Sequence, residues 1–344
     1  MKISSCSPDS FISGLYEKTY RDPFKEVKNA EDILKVNQKI RNDAKNIFRL
    51  DLLSGGNRTL EKAGKPVDFP DFTLQKYTFD LCDGLKSAVF ILTPKKLLSP
   101  APAVVALCGH GYGVRQILGI SKSGKRKRIR YFDNYQKNFA VELAKKGCIV
   151  AAPELFGFGE ARLKKDLSKP FYISSCDELS HHLLPYGLTT ASVRIYQATA
   201  CADILLSMNT VDPERLGCMG ISGGGLTALY ASVLDERFRR TVISGYVNSF
   251  RSSILSMWHC PDNYIPNILH TGEIADFAAS LAPRELLIES GKKDRLFPID
   301  ASLEAHKKIS AVYSLACAAD KLTVDVFDGK HQVSGKHSFD FLSR

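Results

Sequence analysis

Short apolar runs recur along this chain from residue 66 onward, and most are continuous where a half-exposed strand would alternate. FTLQKYTFDL and SAVFILTPK are separated only by CDGLK, which predicts a hairpin. PAVVALCGH, CIVAAPEL, the stretch Leu216 to Ile221, RRTVISGYV, RELLIES and LTVDVFDG follow as further strands. Between them lie segments of helical period: one around FDNYQKNFAVELAKKG, one from about Leu188 to Met208, LTALYASVL, and one near SLEAHKKISAVYSL. Buried strands alternating with helices predict an α/β domain over 66–344, a mostly parallel sheet of about eight strands flanked by helices on both faces. Residues 1–65 differ. EDILKVNQKIRNDAKNIFRL carries its apolar groups at helical spacing, so a helical lead-in segment is expected ahead of the sheet. Two stretches break the alternation, 156–186 and 248–282, and are expected to cap the rim where ligands bind.

Composition narrows the class. Of 344 residues 44% are hydrophobic and 24% charged, the balance of a soluble globular protein. No apolar stretch approaches the roughly 18 to 20 residues that span a bilayer. The N-terminus MKISSCSPDSFISGLYEKTY has neither a continuous apolar core nor a small-residue cleavage pattern, so no secretory signal is expected. Nine cysteines are scattered singly, without C-x-x-C. They read as reduced thiols of a cytoplasmic protein, with no zinc site. The net charge of +10 is concentrated in SKSGKRKRIR, where Lys122, Lys125, Arg126, Lys127, Arg128 and Arg130 crowd together without interleaved aromatics. A solvated loop over 122–130 is the reading, and neither nucleic acid nor membrane is expected as a partner.

Candidate chemistry begins at RLGCMGISGGGLTALYASVLD. Ser222 stands between Gly220 and Gly224 where a buried strand turns into a helix. A G-x-S-x-G turn in that context is a nucleophile elbow, and the glycines remove side chains that would collide at its apex. A serine hydroxyl needs a base and an orienting carboxylate, in chain order Ser, Asp or Glu, His. GKKDRLFP places Asp294 just past the strand RELLIES, and KHQVSG places His331 just past LTVDVFDG. Asp300 and Asp328 compete for the acid, and His337 for the base. Oxyanion donors are expected from the N–H of Gly223 and from the loop CGHGYGVRQ, where the N–H of Tyr112 is the choice and Gly111 the alternative. His110 precedes the elbow and reads as an orienting or packing residue.

HGYG, APELFGFGEAR, GISGGG, CPDNYIPNILHTGEIADFAASLAPRELL and GKKDRLFP together resemble the α/β-hydrolase superfamily, and within it the acetyl-xylan-esterase-like and dienelactone-hydrolase-like serine esterases. The similarity runs from about residue 70 to the C-terminus. It implies the α/β-hydrolase fold, a catalytic triad of Ser222, Asp294 and His331, and an oxyanion hole that includes the Tyr112 amide. Lys330 before His331 departs from the more usual glycine. The expected activity is hydrolysis of short-chain, acetyl-type esters through an acyl-enzyme, with a serine peptidase or amidase and a lactone hydrolase as alternatives. The mechanism requires no cofactor or metal, and the expected partner is a small ester, acylated carbohydrates among the candidates.

Overall fold

The computed structural model describes residues 6–120 and 134–344; the basic segment 122–130 lies outside the described residues. The chain begins with α1 (Asp9–Thr19) and α2 (Ala30–Phe48). No residue of α1 is buried, whereas α2 buries Ile33, Asn37, Ile40, Ala44 and Phe48, whose three- and four-residue spacing puts them on one face. Asn29 caps α2 by accepting from the Asp32 N–H, and left-handed Arg49 ends it. Next come the short strands β1 (Asn57–Lys62) and β2 (Val67–Asp68), then the hairpin β3 (Phe72–Cys82) and β4 (Leu85–Pro94). Both short strands pair antiparallel with β3. The lead-in expected to be helical therefore ends as a sheet edge. NRTLEK is polar and largely exposed, and an edge strand of that kind carries no hydrophobic period.

The alternating part comprises β5 (Ala101–Leu107), α3 (Arg115–Leu118), α4 (Phe139–Lys145), β6 (Ile149–Pro153), α5 (Cys176–Leu183), α6 (Thr190–Leu206), β7 (Val211–Ile221), α7 (Gly223–Leu234) and β8 (Arg240–Ser244). It continues through α8 (Ile268–Thr271), α9 (Ile274–Ala279), β9 (Glu285–Gly291), α10 (Ile299–Leu315), β10 (Leu322–Phe327) and α11 (Ser338–Ser343). The described residues form one ten-stranded sheet in the order β1-β3-β4-β6-β5-β7-β8-β9-β10, with β2 beside β3. The two short strands on β3 account for the excess over the expected number. From β6 to β10 every neighbouring pair is parallel.

Every residue of β5 is buried, and the strand touches α4 and α11 as well as α6 and α7. A strand covered on both faces has no solvated side to alternate toward, which is why AVVAL reads as a continuous apolar run. The chain leaves β5 toward β6 on one side and returns through α6 to β7 on the other. The carboxyl ends of β5 and β7 thus flank a topological switch point, where open α/β sheets bind ligands. The two stretches expected as caps follow β6 and β8, and the end of the second is core. Residues Ile274–Ala279 of α9 are all buried and pack on α7 and α10, so its final portion belongs to the core.

Candidate active site

Ser222 lies between β7 and α7 with φ 57° and ψ −124°. A positive φ at a residue with a side chain costs on the order of 1 kcal/mol or more, so the turn must be held from outside. Ser222 N–H donates to the Ser244 carbonyl at 3.0 Å, and the Leu226 N–H donates to the Ser222 carbonyl at 2.9 Å. A Cβ at Gly220 would lie 2.0 Å from the Gly224 carbonyl oxygen, and one at Gly224 would lie 2.1 Å from that of Leu107. Backbone closes both positions, so neither glycine can be replaced without moving the elbow. Ser222 is half-buried, and Gly223 opens α7, where a helix has N–H groups without intrahelical acceptors.

Asp294 and His331 meet across the loops after β9 and β10, with His331 Nδ1 2.7 Å from Asp294 Oδ2. The other carboxylate oxygen accepts from the N–H groups of Leu296 and Phe297 at 2.9 and 3.2 Å, which fixes the group's rotation. A carboxylate only accepts, so the contact puts the imidazole proton on Nδ1 and leaves Nε2 able to take another. The rings of Tyr135 and Phe297 lie nearly parallel to the imidazole, with centroids at 5.6 and 5.7 Å. Ser222 and His331 share a neighbour. The Ser244 carbonyl holds the elbow, and a Cβ on the next residue, Gly245 (φ +54°), would sit 3.2 Å from His331 Cε1 and Nδ1. The rivals stand elsewhere: Asp300 is exposed in the first turn of α10, Asp328 pairs with Lys293 at 2.7 Å, and His337 is exposed ahead of α11.

The loop after β5 is pinned from three sides. Gly109 N–H donates to Gln136 Oε1 at 2.8 Å, the Tyr135 hydroxyl donates to the His110 carbonyl at 2.6 Å, and Val114 N–H donates to Glu154 Oε1 at 3.0 Å. Tyr112 N–H, the predicted oxyanion donor, is directed at Gln116 Oε1 over a long 3.4 Å. Gly111, the alternative, has φ +124°, and a Cβ there would lie 2.6 Å from the same oxygen. Glu154 is the residue that sequence reasoning missed. It is fully buried, and Cβ atoms at Gly113 and Gly159 would lie 2.2 and 2.1 Å from its two oxygens. Burial pushes its carboxyl up to about 7, against the opposing pull of the Val114 N–H. The available signal was a carboxylate closing the apolar strand CIVAAPEL.

Beside the elbow lies a buried ionic cluster. His110 Nε2 is 3.1 Å from Asp262 Oδ2, which also accepts from Arg194 Nη1 at 2.5 Å. Arg194 donates further to the Phe156 carbonyl and to Cys176 Sγ, both at 2.9 Å, and its guanidinium lies 4.1 Å from the Phe158 ring centre. Burial opposes charge on Asp262, but His110 and Arg194 outweigh it and hold the carboxyl well below its usual range. Burial likewise opposes charge on His110, and Asp262 overcomes it, pushing the imidazole up to about 10. A Cβ at Gly223 would lie 3.2 Å from the His110 ring, so the cluster abuts an expected oxyanion donor. Cysteines scattered singly along the sequence come together here: Cys176 and Cys260 converge with His110 and Asp262, their ligand atoms all within 4.8 Å of one another. Of the aromatics in the two insertions, Phe158 is buried under His110, Phe156 is half-buried, and Trp258 and Tyr264 are exposed.

Comparison with known proteins bears on this arrangement. A model of the prolyl oligopeptidase family matches residues 189–260, which include the elbow. The "Putative hydrolase YtaP" of Bacillus subtilis is 28% identical over 247 residues, 70% of this chain and 76% of that protein. Among solved structures, a putative acetyl xylan esterase of Bacteroides fragilis superposes with a TM-score of 0.79 at 16% identity, covering 94% of this chain and 82% of the other. A glucuronoyl esterase of Solibacter usitatus gives 0.64 at 15% identity, covering 94% and 95%. At these identities the structural likeness establishes the fold.

Proposed function

We propose that this chain, which has the α/β-hydrolase fold, hydrolyses carboxylic esters of short acyl groups through Ser222, His331 and Asp294. The observation that carries the reading is the 2.7 Å contact between His331 and Asp294 at the ends of neighbouring parallel strands, with the elbow serine one carbonyl away. Nε2 of His331 takes the hydroxyl proton as Ser222 Oγ attacks the ester carbonyl, and Asp294 stabilises the resulting imidazolium. The tetrahedral oxyanion receives the N–H groups of Gly223 and Tyr112; losing one such donor costs about 10²- to 10³-fold in rate. Collapse expels the alcohol with the proton from His331, and a water activated in the same way releases the acid.

Tyr112, in the loop after β5 and edge-on to exposed Tyr172 at 6.0 Å, favours an alcohol half that stacks on rings, as an acylated sugar does. The reaction is assigned to the cytoplasm on the grounds of cysteine usage. The test is a panel of p-nitrophenyl esters from acetyl to decanoyl beside acetylated sugars. Acetyl and propionyl esters should be cleaved best, with kcat/KM falling beyond butyryl, because each methylene gains at most about 0.8 kcal/mol and only where space exists. Steady improvement to decanoyl refutes the short-chain assignment. Ser222→Ala should abolish turnover and fluorophosphonate labelling together; substantial residual turnover refutes the nucleophile. The prolyl oligopeptidase match over 189–260 favours a second reading as a peptidase. Turnover of dipeptidyl p-nitroanilides without ester cleavage would select it.

A further inference from the structure

The ionic cluster beside the elbow holds two sulfurs that the proposed ester chemistry does not use. Cys176 is the first residue of α5, fully buried, with its sulfur accepting from Arg194 Nη2 at 2.9 Å. Cys260, partly exposed, stands just before the short turn Pro261–Asn263 that carries Asp262. Its sulfur lies within 4.8 Å of the Cys176 sulfur. Burial opposes ionisation of Cys176, yet the neighbouring Cys260 thiol and the Arg194 charge hold it well below its ordinary value, while the Cys176 sulfur and burial raise Cys260. The Arg194 guanidinium, 2.9 Å from the Cys176 sulfur, favours that sulfur as the thiolate of the pair. A thiolate kept beside a second, more accessible thiol is the arrangement in which an oxidised sulfur is captured by its neighbour.

We infer that Cys176 and Cys260 form a disulfide when the protein meets a hydroperoxide, and that this bond slows acyl transfer by releasing His110 from the cluster that braces Gly223. The second half rests on the esterase reading; the first does not. In the first step the Cys176 thiolate attacks the peroxide, the O–O bond breaks, and Cys176 becomes a sulfenic acid as the leaving hydroxide takes the Cys260 proton to give water. The Cys260 thiolate so formed then attacks the Cys176 sulfur, the S–O bond breaks, hydroxide leaves, and the S–S bond forms. The two sulfurs lose two electrons and the peroxide gains them. From their present separation, within 4.8 Å, the sulfurs close to about 2.05 Å. Oxidation removes the acceptor of Arg194 Nη2 and one of the negative charges that hold His110 protonated, so the imidazole facing Gly223 is no longer fixed from that side.

The same four side chains have spacing that a divalent cation tolerates. Arg194 and His110 already supply the positive charge, however, and Asp262 Oδ2 is occupied by both. A metal would be a third cation in a cluster that is balanced without one.

The experiment uses the full chain with Cys6→Ser and Cys317→Ser, which remove the two exposed thiols. After hydrogen peroxide treatment, digestion without reduction should yield a peptide linking Cys176 to Cys260. Thiol titration should fall by two and recover with dithiothreitol. Turnover of p-nitrophenyl acetate should fall by about tenfold and recover in parallel, whereas Cys260→Ser should keep its rate under peroxide. Recovery of both cysteines as separate thiols or sulfinic acids overturns the inference, as does stoichiometric zinc retained by the reduced protein and shielding both thiols. A disulfide with unchanged turnover overturns the braking half alone. A chain without esterase activity leaves the mass measurement to decide the first half independently.

Discussion

Replacing Gly245 by alanine adds one methyl group at the point where the elbow and the histidine share backbone. The residue has φ +54°, so an alanine there costs roughly 1–2 kcal/mol in backbone strain. Its Cβ would also lie 3.2 Å from His331 Cε1 and Nδ1 and 3.6 Å from Asp294 Oδ2. The imidazole must retreat by a few tenths of an ångström, but it is flanked by Tyr135 and Phe297 and tied to a carboxylate whose rotation is fixed. Tilting is what remains, and a tilt moves Nε2 away from the serine. Since about 1 Å of misplacement costs on the order of a hundredfold, a fall in kcat of about tenfold is expected with KM little changed. Gly187→Ala is the control: φ is +70°, and no atom lies within 4 Å of the added methyl. Urea unfolding should report a similar loss of stability for both variants, while ester turnover should fall only for Gly245→Ala. Equal stability losses with wild-type kcat in both would falsify the placement of His331 in the chemistry.

Asp294→Asn should lower kcat by orders of magnitude by destroying the imidazole's tautomer, whereas Asp300→Asn and Asp328→Asn, both at exposed positions, should leave it near wild type. Equal losses at 294 and 328 would leave the acid unassigned. Burial pushes His306 down to about 4, so the folded state binds its proton less readily than the unfolded chain does; its contribution is complete above about 6.5 and is lost as pH falls through about 4, at most about 3 kcal/mol. Urea unfolding of His306→Gln should accordingly show a flatter acid limb, and an unchanged slope would refute the assignment. Glu154 acts with the opposite sign: its raised carboxyl contributes fully below its unfolded range near 4.5, and that contribution fades as pH rises to about 7. Glu154→Gln should remove this decline, which wild-type data alone cannot separate from the His306 effect.

The parallel strands were legible because each is buried on both faces and so reads as a continuous apolar run. The elbow was legible because its glycines answer to backbone contacts, and G-x-S-x-G records that crowding in the sequence itself. Other features depend on tertiary partners. VDPER looks like a turn, yet Val211 pairs with Ala101 and the strand begins there, Pro213 included. The helix expected around FDNYQKNFAVELAKKG begins only at Phe139, with Asn138 before it in a left-handed conformation. The convergence of Cys176 and Cys260 belongs to two insertions that meet only in space, and no spacing rule reaches across them. That Asp294 and His331 lie just past the ends of β9 and β10 was readable because chain order and strand ends constrain the two positions jointly.

The carboxylate of Glu154 fills the space that side chains at positions 113 and 159 would take, which makes these three residues a single unit of inheritance. A drifting sequence cannot exchange either glycine while the glutamate remains, and shortening the glutamate first would strip the loop after β5 of its anchor at Val114. Mutational libraries that vary the sites one at a time will find both glycines fixed, and at 154 will recover only a side chain of the same length with an acceptor oxygen, glutamine. Other replacements should emerge only when all three are randomised together, as sets in which new side chains at 113 and 159 occupy the volume and supply the acceptor that the carboxylate gave up.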